Sequence, residues 1–299
     1  SLVSEMKWGI VDGRGNPRSY VTKAQLMVLD LLNNMDWSRP VYFAVTTGGE
    51  AYMGLERYFQ LEGLAYRLTP IIHKQTNNPN LEGGVTTGLM YENMMNKFQW
   101  GNMDQKDLYM DENNRRMTSN LRLQFTHLAE QLIEEGKMDM AVKVLDKCMT
   151  VMPEKNVPYD QPQIMWNLSQ LYYDAGAPEK GLELAKRMYQ LNQQEIDYFN
   201  SLDSERQGAL ASTVEMRARL NSIMVGQAEE YFPDNTDVQI MRKNSDEVMA
   251  DFGLEVETRF PTRGTNKPAV QDTTAPQEKP KGPQVLEFND DMMPKNPKK

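Results

Sequence analysis

The run Trp37-Ser38-Arg39-Pro40-Val41-Tyr42-Phe43-Ala44-Val45-Thr46-Thr47-Gly48-Gly49, with its continuation to Pro70, decides how this chain reads. Val41 to Thr46 is short, apolar and rich in β-branched and aromatic residues. Both alternating sets, Val41/Phe43/Val45 and Tyr42/Ala44, are apolar, which predicts a strand buried on two faces. Gly48 and Gly49 end it. From Glu50 to Leu61, the residues Tyr52, Leu55, Tyr58 and Phe59 recur at three- and four-residue spacing, the pattern of an amphipathic helix. Gly63 suits the left-handed residue that closes a helix. Leu64, Tyr66 and Leu68 then alternate with Ala65, Arg67 and Thr69, as a half-buried strand requires. A strand–helix–strand unit this compact favours parallel pairing through a right-handed crossover.

The flanks of that unit extend it to a small αβ domain over residues 1–107. Asp12 to Pro17 is dense in turn formers and reads as a loop, with Trp8 and Ile10 packing onto the unit. Thr22 and Gln25 have capping-box spacing: the hydroxyl accepts from a free backbone N–H and the amide returns the bond. The helix they open carries Leu26, Met27, Val28, Leu29, Leu31 and Leu32 almost without interruption, so it is expected to be nearly wholly buried. Asn33, Asn34 and Pro40 stop it. His73 to Gly84 reads as a loop. A further helix, capped by Thr86 or Thr87, runs to Trp100 with Leu89, Met90, Met94 and Phe98 as its apolar stripe.

From residue 108 the pattern changes to a helical repeat, expected to reach residue 253. Phe125, Leu128, Ala129, Leu132, Gly136, Ala141, Leu145, Cys148 and Pro153 fall on tetratricopeptide positions. A second copy runs through Met165, Leu168, Ser169, Tyr172, Gly176, Gly181, Ala185 and Met188. Its offset of 40 residues exceeds the standard repeat of about 34, and Val157 to Pro162 supplies the extra length. Small residues at Ala141 and Gly181 let the second helix of each pair approach the first, and Gly136 and Gly176 make the turns. Ser204 and Gln207 predict a cap for a long closing helix with Leu210, Val214, Leu220, Met224, Ala228 and Tyr231. A shorter helix, Thr236 to Phe252, ends at Gly253. Residues 254–260 alternate as a strand would, and 261–299 is a disordered tail of Pro, Lys, Gln and Thr whose one apolar patch is Val285 to Phe288. The fold class expected is therefore α+β: a short sheet with flanking helices, then a tetratricopeptide-like α-helical array and a disordered C-terminal tail.

Composition narrows the function. The 299-residue chain has a formal charge of −9, and the tail's seven basic and five acidic residues leave the body at −11. An acidic body argues against nucleic acid as the main partner. No run of eighteen apolar residues exists, so no membrane span is expected within this chain. The chain starts at Ser1 rather than Met, which suggests a piece of a longer polypeptide. One cysteine, Cys148, forbids an internal disulfide, and two histidines, His73 and His127, make a zinc enzyme a poor fit.

Few residues carry a chemical signal. Thr46-Thr47-Gly48-Gly49 lies between a strand and a helix, where backbone N–H groups hold a phosphate or carboxylate; a plain tight turn is the simpler reading. It lacks the full P-loop and dinucleotide fingerprints, and no cofactor is expected. Asp111, Arg115 and Arg116 suit either an anionic group or a capping and ion-pair junction. His73 and His127 have no ligand set around them. Cys148 occupies a small-residue repeat position and reads as an inert buried thiol. Asn167-Leu168-Ser169 matches a glycosylation acceptor but falls inside a repeat helix, where acceptors do not sit. The 22 methionines are mostly at helical core positions. No Ser-His-Asp or Cys-His set stands out.

The runs Asp36 to Ala44 and Gly54 to Pro70 resemble the C-terminal region of a family of large bacterial membrane proteins, formerly of unknown function, related to the protein O-mannosyltransferases. Tyr109 to Met117 and the helical section with Gly136 and Met152-Pro153 resemble the same family, so the likeness spans roughly Val21 to Gly181. It implies a multi-spanning glycosyltransferase that uses a lipid-linked sugar donor. The catalytic acid of such enzymes lies in a loop near the first membrane helices, and no residue of this chain corresponds to it. The part represented here would be a non-catalytic extracytoplasmic domain, on the periplasmic face and tethered to the inner membrane. Its partners would be an acceptor protein or peptide and the membrane domain of the same polypeptide. Two other readings stand beside it. One is a free-standing tetratricopeptide-like scaffold. The other is an enzyme or small-anion binder with a site between the αβ unit and the repeats, around Arg39, Thr47, Gly48, Arg67 and Arg115.

Overall fold

A computed structural model describes residues 2–3, 5–12, 16–73, 81–105 and 107–254. Within it a small four-stranded sheet with helices is followed by an array of helices. The expected strand over 254–260 and the tail over 261–299 lie outside the described residues.

The first helix, α1 (Lys23–Asn34), opens as its sequence demands. Thr22 accepts from the Gln25 amide N–H at 3.2 Å, and the Gln25 side chain accepts from the Thr22 N–H at 2.9 Å. Its burial does not follow the expectation. Val28, Leu29 and Leu32 pack on the core, but Leu26, Met27 and Leu31 are 57, 65 and 51% exposed. The helix is apolar on both sides, and the described residues supply a neighbour on one side only.

The sheet holds β1 (Tyr42–Ala44), β2 (Phe59–Leu61), β3 (Ala65–Leu68) and β4 (Gly84–Val85) in the order β1-β3-β2-β4. Here the expectation of parallel pairing fails. β1 meets β3 antiparallel, with Phe43 opposite Tyr66, and β2 and β3 form a hairpin with Leu61 opposite Tyr66. The parallel pair is β2 with β4. The reason lies in the connection. The predicted helix over 50–61 is only α2 (Gly49–Tyr52), after which Met53 at φ 57° and Gly54 at φ 87° reverse the chain. A Cβ on Gly54 would sit 2.3 Å from the Gly9 carbonyl oxygen, so the N-terminal segment passes where only glycine fits. A 3-10 turn, Glu56–Tyr58, then leads into β2. One four-residue helical turn cannot carry a parallel crossover, which needs a dozen or more residues. Tyr52, Leu55, Tyr58 and Phe59 are all buried, but by a turn and a strand rather than by one helix face. Gly63 does not close a helix. It sits in the β2–β3 connection at φ 134°, where a Cβ would strike the Phe98 ring.

β1 is an edge strand, not one buried on two faces: Phe43 is buried, while Tyr42 and Ala44 are exposed. β3 alternates as predicted, with Tyr66 and Leu68 inside and Arg67 outside. Phe43, Tyr52, Phe59 and Tyr66 form an aromatic cluster with ring centroids 4.9 to 6.0 Å apart. The helix predicted up to Trp100 is α3 (Thr87–Glu92), continued by a π-helical turn, Asn93–Lys97. Thr86 makes no side-chain cap; the Thr87 hydroxyl instead donates to Glu135 at 2.9 Å.

The array comprises α4 (Glu112–Glu134), α5 (Met138–Val151), α6 (Pro162–Asp174), α7 (Pro178–Asn200), α8 (Ser204–Tyr231) and α9 (Thr236–Asp251). Asp111 caps α4, accepting from the Asn114 N–H at 2.8 Å. Gly136 and Gly176 turn between paired helices at φ 74° and 79°. Gly181 does what its spacing predicts, since a Cβ there would lie 3.0 Å from the Ser169 carbonyl oxygen. The α8 cap is one residue earlier than expected: Asp203, not Ser204, accepts from the Arg206 N–H, and Gln207 turns to the Phe199 carbonyl oxygen. Asparagine, aspartate and serine cap comparably, so adjacent candidates are not separable by type. One apolar core runs from the sheet through α3 into α4, α5, α6 and α7, with Trp100 and Phe125 rings 4.9 Å apart at the join.

Candidate functional site

The residues singled out from sequence fall into separate surroundings. Arg39 is exposed after α1. Thr47 is exposed in a turn closed by its N–H to the Ala44 carbonyl at 3.0 Å, and Gly48 takes φ 82° with its carbonyl accepting from Ala51. Those groups are spent on the turn, and a four-residue helix presents little of the dipole an anion site needs. Arg67 lies on the outer side of β3, 3.5 Å from Glu62, whose carboxylate also accepts from the Tyr42 hydroxyl at 2.8 Å. Asp111 is used as the α4 cap, and Arg116 reaches Asn113 at 3.3 Å. Arg115 is half-buried, and its Nε has no partner among the described residues. No hydrogen bond or ion pair among the described residues joins Arg39, Thr47 or Gly48 to Arg67, or any of these to Asp111, Arg115 and Arg116.

The structure gathers a different set. A groove of about 740 Å³ opens between α5 and α7, with α6 and the loop before it as its floor. Asp146 of α5 receives the Lys180 ammonium at 2.7 Å and the Tyr172 hydroxyl at 3.1 Å. Further along, Glu154 takes a forked pair of bonds from Arg187, from Nε at 2.9 Å and Nη2 at 2.6 Å. Such planar pairing fixes the guanidinium as well as attracting it. Tyr159 stands between these pairs. Burial pushes its phenol up to about 12, and burial also raises Tyr172, helped by Asp146. Both phenols therefore stay protonated; the Tyr172 O–H is already donated to Asp146, and that of Tyr159 lies at the groove. Met149 and Leu184 give the groove an apolar strip.

Arg122 holds that floor in place. It is 1% exposed and makes no ion pair; its guanidinium donates to the carbonyls of Met152, Val157 and Pro158. It also lies 4.9 Å from the Tyr159 ring centroid. One buried cation thus ties down the whole loop between α5 and α6. Burial, the larger influence, depresses its pKa, but an arginine starts so high that it remains charged.

Such a groove, with alternating fixed charges, two phenols and an apolar strip, suits an extended polar segment. It holds no activated nucleophile. Cys148 is fully buried and its thiol is pushed up to about 12 by burial, consistent with the inert role its repeat position predicts. Among the described residues no group of His, Cys, Asp and Glu converges as a metal site would. Asn167 lies inside α6, with its amide turned to Glu130 of α4 at 3.3 Å, away from any glycan-accepting geometry. None of the groove residues was singled out from sequence as a site residue, and Tyr172 was read only as a repeat position. Their pairings join positions 33 and 34 residues apart, and such surface charges carry no local signature.

The class defined here is a small mixed-sheet unit joined to a helical array, with no helix among the described residues long and apolar enough to cross a membrane. Residues 1–88 match the family model described as TMEM260-associated domain 2. The match covers the sheet through the start of α3 and none of the helical array. No curated protein and no solved structure matches the chain.

Proposed function

We propose that this chain is the extracytoplasmic, non-catalytic part of a membrane glycosyltransferase of the O-mannosyltransferase type, and that its helical array holds the acceptor protein. The groove between α5 and α7 is the observation that carries this. Its two ion pairs and the protonated Tyr159 phenol fit the alternating polar groups of an extended peptide. Gly136 and Gly176, read from sequence as tetratricopeptide-like turns, take positive φ, and Gly181 makes a close helix contact, which supports a peptide-binding array of that kind. The TMEM260-associated match over 1–88 and the likeness of Asp36 to Ala44 and Gly54 to Pro70 supply the link to a membrane glycosyltransferase. The bare outer face of α1 supports a second contact, with the membrane domain of the same polypeptide on the periplasmic side of the inner membrane.

The test is made in the native polypeptide with Lys180→Ala and Arg187→Ala combined. Each loses one surface ion pair, worth about 0–1 kcal/mol, so the protein still accumulates. A lectin blot of the cell's glycoproteins is expected to lose bands at normal enzyme abundance. An unchanged band pattern contradicts acceptor holding by the groove.

A further inference from the structure

The free edge of the sheet carries a hydrogen-bonding pattern of its own. β1 ends the strand order, so one side of it has no neighbouring strand among the described residues. Alternation settles which backbone groups face that side. The Val41 carbonyl accepts from the Leu68 N–H at 2.9 Å, Phe43 sits opposite Tyr66, and the Val45 N–H donates to the Leu64 carbonyl at 3.3 Å. Val41, Phe43 and Val45 therefore turn their backbone groups toward β3, and Pro40, Tyr42 and Ala44 turn theirs outward. All three outward residues are exposed.

The outward groups differ from one residue to the next. Pro40 has a carbonyl and no N–H. Tyr42 offers both groups, and neither meets a backbone partner on that side among the described residues. Ala44 offers its N–H alone, because its carbonyl already accepts from the Thr47 N–H at 3.0 Å and the Tyr52 hydroxyl at 3.3 Å. Along the edge the order is acceptor only, donor with acceptor, donor only.

We propose that this edge pairs with the same edge of a second copy of the chain, antiparallel and centred on Tyr42. In that register Tyr42 lies opposite its counterpart, and the two exchange both bonds. Each Ala44 N–H donates to the Pro40 carbonyl of the other copy. The N–H that proline lacks falls opposite the one carbonyl already occupied. The order is thus complementary to itself when reversed, which is what a two-fold interface requires. An unrelated strand would bring an N–H to the occupied Ala44 carbonyl. The side chains fit as well. Residues 40–44 are uncharged, so no like charges oppose each other across the axis, and no lysine guards the edge from Tyr42 to Ala44. The Tyr42 ring is held on the outer face by its bond to Glu62 at 2.8 Å and would lie beside the ring of its counterpart. Pairing consumes this edge in both copies, so assembly through it stops at a dimer. The edge takes no part in the groove between α5 and α7, and its failure leaves the acceptor-holding reading standing.

Sedimentation equilibrium of the full chain tests it. A reversible monomer–dimer equilibrium is expected, with a Kd of about 10–100 µM for so small an interface. Ala44→Pro removes the outward N–H and spares the ladder to β3, since proline is tolerated where the N–H of an edge strand faces solvent. It deletes one bond on each side of the axis and should weaken dimerisation roughly tenfold or more. Tyr42→Lys sets two ammonium groups opposite each other and should weaken it comparably. Leu26→Ser with Met27→Gln, on α1, should leave it unchanged. Circular dichroism and the melting temperature establish that each variant is folded; should Ala44→Pro fail to fold, Tyr42→Lys carries the test. A chain that stays monomeric throughout overturns the proposal, as does a dimer that survives the edge variants. A dimer lost only in the α1 variant overturns it in favour of a contact through that helix.

Discussion

Arg122 is the residue whose loss tests the groove's construction most sharply. Replacing it with methionine keeps the volume and the aliphatic stem but removes three donors at once. The carbonyl oxygens of Met152 and Pro158, each 3.0 Å from the guanidinium, and that of Val157, at 2.5 Å, then lose their charged partner. Bonds to charged groups are worth about 1.5–3 kcal/mol each, so the gross loss is about 4.5–9 kcal/mol. Against this, a buried guanidinium that makes no direct ion pair carries a desolvation penalty of several kcal/mol, which the substitution removes. The net expectation is a destabilisation of about 3 kcal/mol, or a melting temperature lower by roughly 6–12 °C for a unit of this size. Limited proteolysis should also open new cleavage between Met152 and Tyr159. Arg116→Met, exposed on the same helix, should stay within about 0.5 kcal/mol. A melting temperature for Arg122→Met within about 2 °C of the parent, with the loop still protected, would refute the clamp.

The remaining expectations concern other parts of the chain. Asn192 donates to Asn221 at 2.8 Å and accepts from Arg217 at 3.1 Å inside the α7–α8 interface, so Asn192→Ala leaves two buried polar groups unmet and should cost about 2–4 kcal/mol in denaturant unfolding. Glu82 is half-buried, and burial, with Glu56 nearby, raises its pKa. A raised carboxylate contributes stability that is full below the unfolded pKa and is lost as pH rises through the folded one. Glu82→Gln should therefore raise the melting temperature at pH 7 and leave it little changed near pH 4; a loss at pH 7 would contradict this. Leu26→Ser with Met27→Gln, both on the bare side of α1, should leave stability within about 1 kcal/mol, while weakening co-purification of this chain with the proposed membrane domain when the two are expressed as separate polypeptides.

How much was legible in the sequence follows from how local each signal is. The paired helices of the array were readable because a 3.6-residue apolar period, glycine turns and small contact residues repeat at fixed spacing. The Thr22–Gln25 cap and the alternation of β3 are local as well. The run from Glu50 to Leu61 was not readable as it folds. Its spacing satisfied a helix, but the break at Met53-Gly54 comes from a distant segment, Gly9, occupying the space a side chain would need. With the helix lost, the parallel crossover was lost too. The apolar content of α1 was visible, but which face would be covered depends on where the helix meets a core built from distant residues. The groove was invisible for a similar reason: Asp146 with Lys180, and Glu154 with Arg187, meet only once α5, α6 and α7 have stacked.

The central claim is that this chain works as part of a larger membrane enzyme. Native cells separated into membrane and soluble fractions, and blotted with antibody raised against this chain, test it directly. The account predicts a membrane-fraction band far above 34.4 kDa. A soluble band near 34.4 kDa would contradict it and leave a free-standing scaffold in its place.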